Sequence, residues 1–535
     1  MKGSFKATCS FLLLMLFCGC SRSGEAAGPG IPDLRGTESL TAARLIGNVR
    51  KSVGYQALAK LRRGFTVEEV RTDQSSPAGF VYSFGPKGKA RRQSTSSNPD
   101  PFVFDGEDAW QTNQTTGEPR PPAPQRLRET LLLPLWLRSG WWLDEAAPLD
   151  KAILPEESNG ERVALSIAFR EELVGPIISA RLWVNRTTWL PETLIVGDGG
   201  NRYSYNFADY RKTTFGFLYP HRIMVEEPGN SSVFEVRKLA KIKVTSPDAF
   251  TRIPLPDDTI FDNTLPAELK VAKGAGADGH FYVRPLIDGQ DLGWFHFDTG
   301  FGVNQIDTKF ADKLGMPVIG TSTVRGRDGT PRTVTIRRGK TLQLGRVTIR
   351  NPIYYAEDLS NRNAPPGEKR AGLCGYPFFA RVVTEFIHGG GRIALYDPAT
   401  YKLQKGEWKR FTYVMHVPAV RIRFEGNREG LFIVDTGGSG SIIFNSRYTK
   451  DHKILDGRQV VEQTNQGSGG TYKALAGNLR WLDLAGYRFN EPVAEFGIGG
   501  EGFEMEGRSG VIGRGLMGPF VVVFDYRHKR MAFVR

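Results

Sequence analysis

The chain has 535 residues, enough for three separate cores, and its 40% hydrophobic content is ordinary for a globular protein. A net charge of +14 invites a nucleic-acid partner, yet lysine and arginine are dispersed, with short clusters at Arg91-Arg92 and Arg337-Arg338 and no helix-turn-helix or zinc-finger spacing, so no nucleic acid is expected. Four cysteines, three of them within the first 20 residues, exclude an intramolecular disulfide framework.

At the start, Lys2 and Lys6 precede an apolar run from Phe11 to Phe17 that is too short to span a bilayer as a stable helix and suits a signal peptide. The run ends in Phe17-Cys18-Gly19-Cys20, followed by Ser21-Arg22-Ser23-Gly24. This resembles a bacterial lipobox, with Phe17 where leucine is commoner. A small residue before the cysteine permits cleavage, so Cys20 would become an acylated first residue. The expectation is a signal peptide over 1–20, a Gly/Pro-rich tether over 21–38, and a lipid anchor holding the chain to a membrane of the bacterial cell envelope, facing the periplasm. Without that anchor the chain would be periplasmic. The basic charge suits an anionic membrane surface. Cys9 and Cys18 fall in the removed peptide, which leaves Cys374 as a small core residue.

Residues 39–245 read as a β-rich domain. A helix is expected from Ser39 to about Leu61, with Leu45, Val49, Val53, Leu58 and Leu61 on one face. Strands follow at Phe65 to Val70, Gly79 to Phe84, Phe102 to Gly106, Val163 to Phe169, Ala180 to Val184, Glu192 to Val196 and Asn201 to Phe207. The strings Phe104-Asp105-Gly106-Glu107-Asp108-Ala109-Trp110, Leu182-Trp183-Val184-Asn185-Arg186-Thr187-Thr188-Trp189-Leu190-Pro191 and Phe217-Leu218-Tyr219-Pro220-His221 are similar to those of LolA/LolB-like lipoprotein carriers. That resemblance implies a curved antiparallel sheet closed on one side by a few helices, with an apolar interior suited to a lipid ligand. Residues 246–276, rich in Pro, Asp and Gly, read as a linker.

Beyond the linker one tripeptide occurs twice, as Asp298-Thr299-Gly300 and Asp435-Thr436-Gly437, 137 residues apart. The flanks repeat as well. Before the first copy, Phe281-Tyr282-Val283 and Leu286-Ile287 reach the hairpin dipeptide Asp288-Gly289, and Gly293-Trp294-Phe295-His296-Phe297 runs into Asp298. Before the second, Val420 to Phe424 alternates, Glu425-Gly426-Asn427 turns, and Gly430 to Val434 leads into Asp435. About 75 residues after each Asp stands an apolar-apolar-Gly element, Gly372-Leu373-Cys374-Gly375-Tyr376 and Gly510-Val511-Ile512-Gly513-Arg514.

From about residue 277 onward the chain therefore resembles two fused retropepsin-type aspartyl protease domains. The fold expected for the whole chain is mainly β: the LolA-like sheet, then two tandem retropepsin-like β-barrel lobes over 277–398 and 409–535 with a joint at 399–408. The resemblance implies Asp298 and Asp435 as the catalytic pair, with Thr299, Gly300, Thr436 and Gly437 shaping their loops. It also implies two hairpin flaps, around Arg325 to Thr330 and around Gln466 to Tyr472. Two departures stand out: Phe301 and Gly438 follow the tripeptides where the family has a small Ala or Ser, and Tyr376 stands where the second copy keeps Arg514. His296 shares the Asp298 side of its strand and is expected to be structural.

Two carboxylates brought together share a proton over a wide pH range, so one can take a proton from water while the other polarises a carbonyl. The expected activity is that of an aspartic endopeptidase, a monomer acting on peptide or protein with no cofactor and no metal. The alternative is an inactive envelope lipoprotein that binds lipid or peptide.

Overall fold

Strand residues with a period of two dominate the chain from Phe65 onward, and the fold is mainly β with curved sheets. The computed structural model describes residues 40–73, 78–96, 101–113, 115–122, 132–170, 179–197, 202–243, 249–252, 254–273, 280–325, 331–360, 362, 364, 368–388, 391–414, 416–467, 470–498 and 508–535. The signal peptide, Cys20 and the tether lie outside them, as do residues 326–330 and 468–469 of the expected flaps. Residues from Ala42 to Arg535 form one unit.

The first part of this unit is a 13-stranded antiparallel sheet. From one edge, Pro119–Arg120, neighbouring strands run backwards along the chain to Phe65–Arg71. That strand pairs with Asn230–Lys241, from Phe65 against Lys241 to Arg71 against Phe234. The order then descends to Leu149–Leu154 at the other edge. The expected first helix is two, Ala42–Val53 and Tyr55–Ala59, because Gly54 takes a left-handed φ of 73° between them. A further helix, Leu133–Ser139, is buried along its whole length. It carries Arg138, which pairs with the buried Glu69 and donates to the Tyr219 hydroxyl at 3.0 Å.

The stretch 246–276 is no free linker, which corrects the reading of its composition. Thr259–Phe261 pairs with Val347–Arg350, Glu268–Lys270 with Arg392–Tyr396, and Ala272–Lys273 with Phe281–Val283. Strands of two or three residues between Pro and Gly leave no periodic pattern to detect.

Beyond it, two strand sets repeat one connectivity. In the first, Trp294–Phe297 runs parallel to Arg370–Cys374, which pairs antiparallel with Gln305–Asp307, itself parallel to Ile353–Glu357. In the second, Arg428–Val434, Gly510–Ile512, Ile442–Phe444 and Val493–Gly497 do the same. A six-stranded sheet joins the sets, with Val383–Ile387 antiparallel to Val521–Asp525 at its centre. One hydrophobic core runs through both sets and takes in Trp110 from the N-terminal sheet.

Candidate active site

Each Asp-Thr-Gly loop follows a buried strand whose parallel neighbour holds it by the backbone. The Asp298 N–H donates to the Cys374 carbonyl at 3.1 Å and the Asp435 N–H to the Ile512 carbonyl at 2.9 Å. Both acceptors belong to the apolar-apolar-Gly elements, so the repeat seen in sequence is a repeat in space. Within the loops, the Gly300 N–H donates to Asp298 Oδ1 at 2.7 Å and the Gly437 N–H to Asp435 Oδ1 at 2.8 Å. These bonds hold each carboxylate in one rotamer.

The two loops are bound to each other through their threonines. The Thr299 N–H donates to Thr436 Oγ1 and the Thr436 N–H to Thr299 Oγ1, both at 3.0 Å. The Thr299 hydroxyl also donates to the Val434 carbonyl at 3.0 Å. Thr299 and Thr436 are buried, while Asp298 and Asp435 keep 7% and 9% of their surface. Each tripeptide therefore supplies the acceptor for the other's backbone.

The glycines are required by the same approach. A Cβ on Gly300 would come within 3.0 Å of the Asp435 carboxyl, and one on Gly437 equally close to the Asp298 carboxyl. Each carboxyl thus lies against the other loop's glycine. Phe301 and Gly438, the residues that depart from the family pattern, make the same backbone bond: the Phe301 carbonyl accepts from Tyr376 N–H at 2.8 Å and the Gly438 carbonyl from Arg514 N–H at 2.9 Å.

Three surrounding groups carry no local sequence signal. Tyr526 donates its hydroxyl to the Thr299 carbonyl at 3.3 Å, and burial together with the two Asp charges holds that phenol well above its usual range. Tyr413 in turn donates to the Tyr526 carbonyl at 2.8 Å. Arg370, whose pKa is lowered by burial, senses Asp298 from the neighbouring strand. His296 was visible as a same-side neighbour, and its Nδ1 stands 3.6 Å from Asp298 Oδ2. Cys374 is buried, and burial pushes its thiol up. Among the described residues no cluster of three or more His, Cys, Asp or Glu could hold a metal ion.

With this geometry in view, the first strand set is similar to known proteins. Residues 283–378 match the aspartyl protease family. No curated protein matches the chain. Among solved structures, it is similar to a LolA superfamily protein from Nitrosomonas europaea, at 16% identity over 40% of this chain and 99% of the other, with a TM-score of 0.30. It is similar to a DUF1329 family protein from Desulfovibrio piger at 14% identity, over 38% and 96% of the two chains, with a TM-score of 0.26. It is also similar to a retropepsin-like aspartic protease from Rickettsia conorii at 15% identity, over 24% and 96%, with a TM-score of 0.19.

A cavity of about 620 Å³ lies apart from these loops, in the N-terminal sheet. Aromatic and aliphatic side chains such as Phe80, Tyr82, Tyr205 and Ile223 line it, with the Arg138–Glu69 pair.

Proposed function

We propose that the chain is an aspartic peptidase in which Asp298 and Asp435 activate water between them. The observation that carries this reading is the reciprocal packing of the loops, each glycine against the other loop's carboxyl. Two carboxylates so placed cannot both ionise at ordinary cost, and the pair titrates as a unit. The ionised member takes a proton from the water as it attacks the peptide carbonyl; the protonated member donates to the carbonyl oxygen. On collapse of the tetrahedral intermediate, the carboxyl that took the water's proton gives it to the departing amine, and the other takes back the proton from the intermediate's hydroxyl, which restores the shared proton. Thr299, Gly300, Thr436 and Gly437 keep the pair aligned, and no metal or cofactor enters the step.

The chain would act at the bacterial envelope on the periplasmic side, with Cys20 acylated as its membrane anchor. The 620 Å³ cavity, lined by aromatic and aliphatic side chains together with Arg71, Arg92, Arg138, Glu69 and Glu227, would suit a lipid-sized ligand with a polar end in the N-terminal sheet.

The test is incubation of the purified chain with a diverse peptide library at about pH 4 to 7, beside Asp298→Asn and Asp435→Asn. Cleavage lost in both variants supports one shared pair. No cleavage by the folded native chain at any pH would leave a binding protein.

A further inference from the structure

We infer that the N-terminal sheet closes one end of the peptide-binding cleft, so that the enzyme cleaves bonds a few residues from a chain end on that side. The inference rests on the peptidase reading above. The element responsible is the edge hairpin formed by Ala109–Thr112 and Pro119–Arg120. Its turn is built by Asn113, whose side-chain oxygen accepts from Thr115 N–H at 2.9 Å and Thr116 N–H at 3.2 Å.

This hairpin lies against two parts of the first strand set. On one side it meets Gly302, Val303 and Asn304, the residues that lead the chain out of the Asp298 loop, and Tyr376 beside them. On the other, the Thr115 methyl packs against Gly320 so closely that a Cβ there would collide with it. Gly320 belongs to Val318–Arg325, which pairs with Pro331–Arg338 in the hairpin expected to cover a bound peptide. An element that reaches both the floor beside Asp298 and the strand leading to the cover leaves an extended peptide no straight exit past the first strand set.

The hairpin is also anchored. Arg381, in the turn after the helix Tyr376–Phe379, is buried and holds Glu118 of the hairpin and Asp258 at 2.7 Å each. Breaking such a buried pair by removing one partner leaves an uncompensated charge, so the wall is fixed in place. With the second strand set, Glu107 bonds Arg410, Asp108 pairs with Lys529, Trp110 packs edge-on to Tyr413, and His416 lines the same small cavity as the hairpin. Arg410 lies on the edge strand of the six-stranded sheet, and Tyr413 on a strand that pairs with Val417–Phe424. One end of the cleft is therefore walled by the N-terminal sheet.

The experiment takes one bond that the native chain cleaves and builds two nested peptide series, extended residue by residue on either side. On one side kcat/KM should fall by at least about tenfold once the added residues reach the wall, because the reacting atoms are pushed out of position. On the other side it should stay level. Replacing residues 113–117 by a two-residue Asn-Gly turn should restore cleavage of the long peptides while leaving the short ones unchanged, and Thr115→Gly should do so in part. The melting temperature of each variant identifies misfolding. Equal rates for all lengths on both sides overturn the inference and leave the peptidase reading standing. Cleavage of no peptide of any length overturns both.

Discussion

His296 Nδ1 lies 3.6 Å from Asp298 Oδ2, and the position two residues before the second Asp is Ile433. The two carboxylates therefore differ in their electrostatic surroundings although their loops match. The imidazole is buried, with the His280 ring centroid at 4.8 Å and the Tyr282 ring at 5.4 Å. His296→Ile, which copies the second repeat, removes the polar neighbour of the Asp298 carboxyl and should lower kcat/KM while the melting temperature stays near native. An unchanged kcat/KM would show that His296 does not act on the pair.

The threonine exchange should show itself in stability as well as rate. Thr299→Val removes the hydroxyl that accepts from Thr436 N–H and leaves that buried donor unsatisfied, a cost of about 1–3 kcal/mol. Thr436→Val should cost somewhat less, since it removes the mirror-image bond while Thr299 also donates to the Val434 carbonyl. Urea unfolding followed by intrinsic fluorescence measures both, and a loss confined to one variant would contradict the reciprocity.

Gly300→Ala and Gly437→Ala push a methyl group into the opposite carboxyl. Each should lower kcat/KM by about a hundredfold or more, since a displacement of about 1 Å at the reacting groups has that effect. Near-native melting with this loss would locate the damage at the pair.

Glu69 gives the N-terminal sheet a pH dependence. Burial raises its carboxyl above the usual value of 4.5, opposed by the charge of Arg138. A group raised in the fold contributes stability that is complete below its unfolded value and is lost as pH rises through the folded one, about 1.4 kcal/mol for each unit of the rise. Glu69→Gln has no such titration. Its melting temperature should therefore improve relative to the native chain as pH increases from about 4 to 8; a constant difference would refute the assignment.

Cys374 should be inert. It is 0% exposed and burial raises its thiol, so the nucleophilic thiolate is suppressed twice over. Peptide mapping after treatment with a thiol reagent at about pH 8 should find Cys374 unmodified in the native chain and modified in denaturant.

The Asp-Thr-Gly pair was legible because glycine and threonine are demanded locally, at a close approach and a reciprocal hydrogen bond, and because hairpin dipeptides bracket both copies. The strands from Phe65 to Arg71 and Gly79 to Phe84 were legible from alternation. Other parts had no local mark. Leu133–Ser139 is buried on all sides, so it lacks the polar face by which helical periodicity is recognised. Thr259–Phe261 and Glu268–Lys270 are too short for a period of two to register. The ion pairs of Arg381 with Glu118 and of Lys529 with Asp108 join residues hundreds of positions apart, and nothing near either partner announces the other.

The pairing of Phe65–Arg71 with Asn230–Lys241 at the middle of the N-terminal sheet also sets a temporal order. Most neighbouring strands on either side are joined by short turns and can zip as they leave the ribosome, whereas this central pair must close a loop of more than 150 residues. The Glu69 that lines the large cavity lies on this seam, so the cavity is the last part of the sheet to take shape. Until that late closure the two halves of the sheet leave the cavity open on this seam.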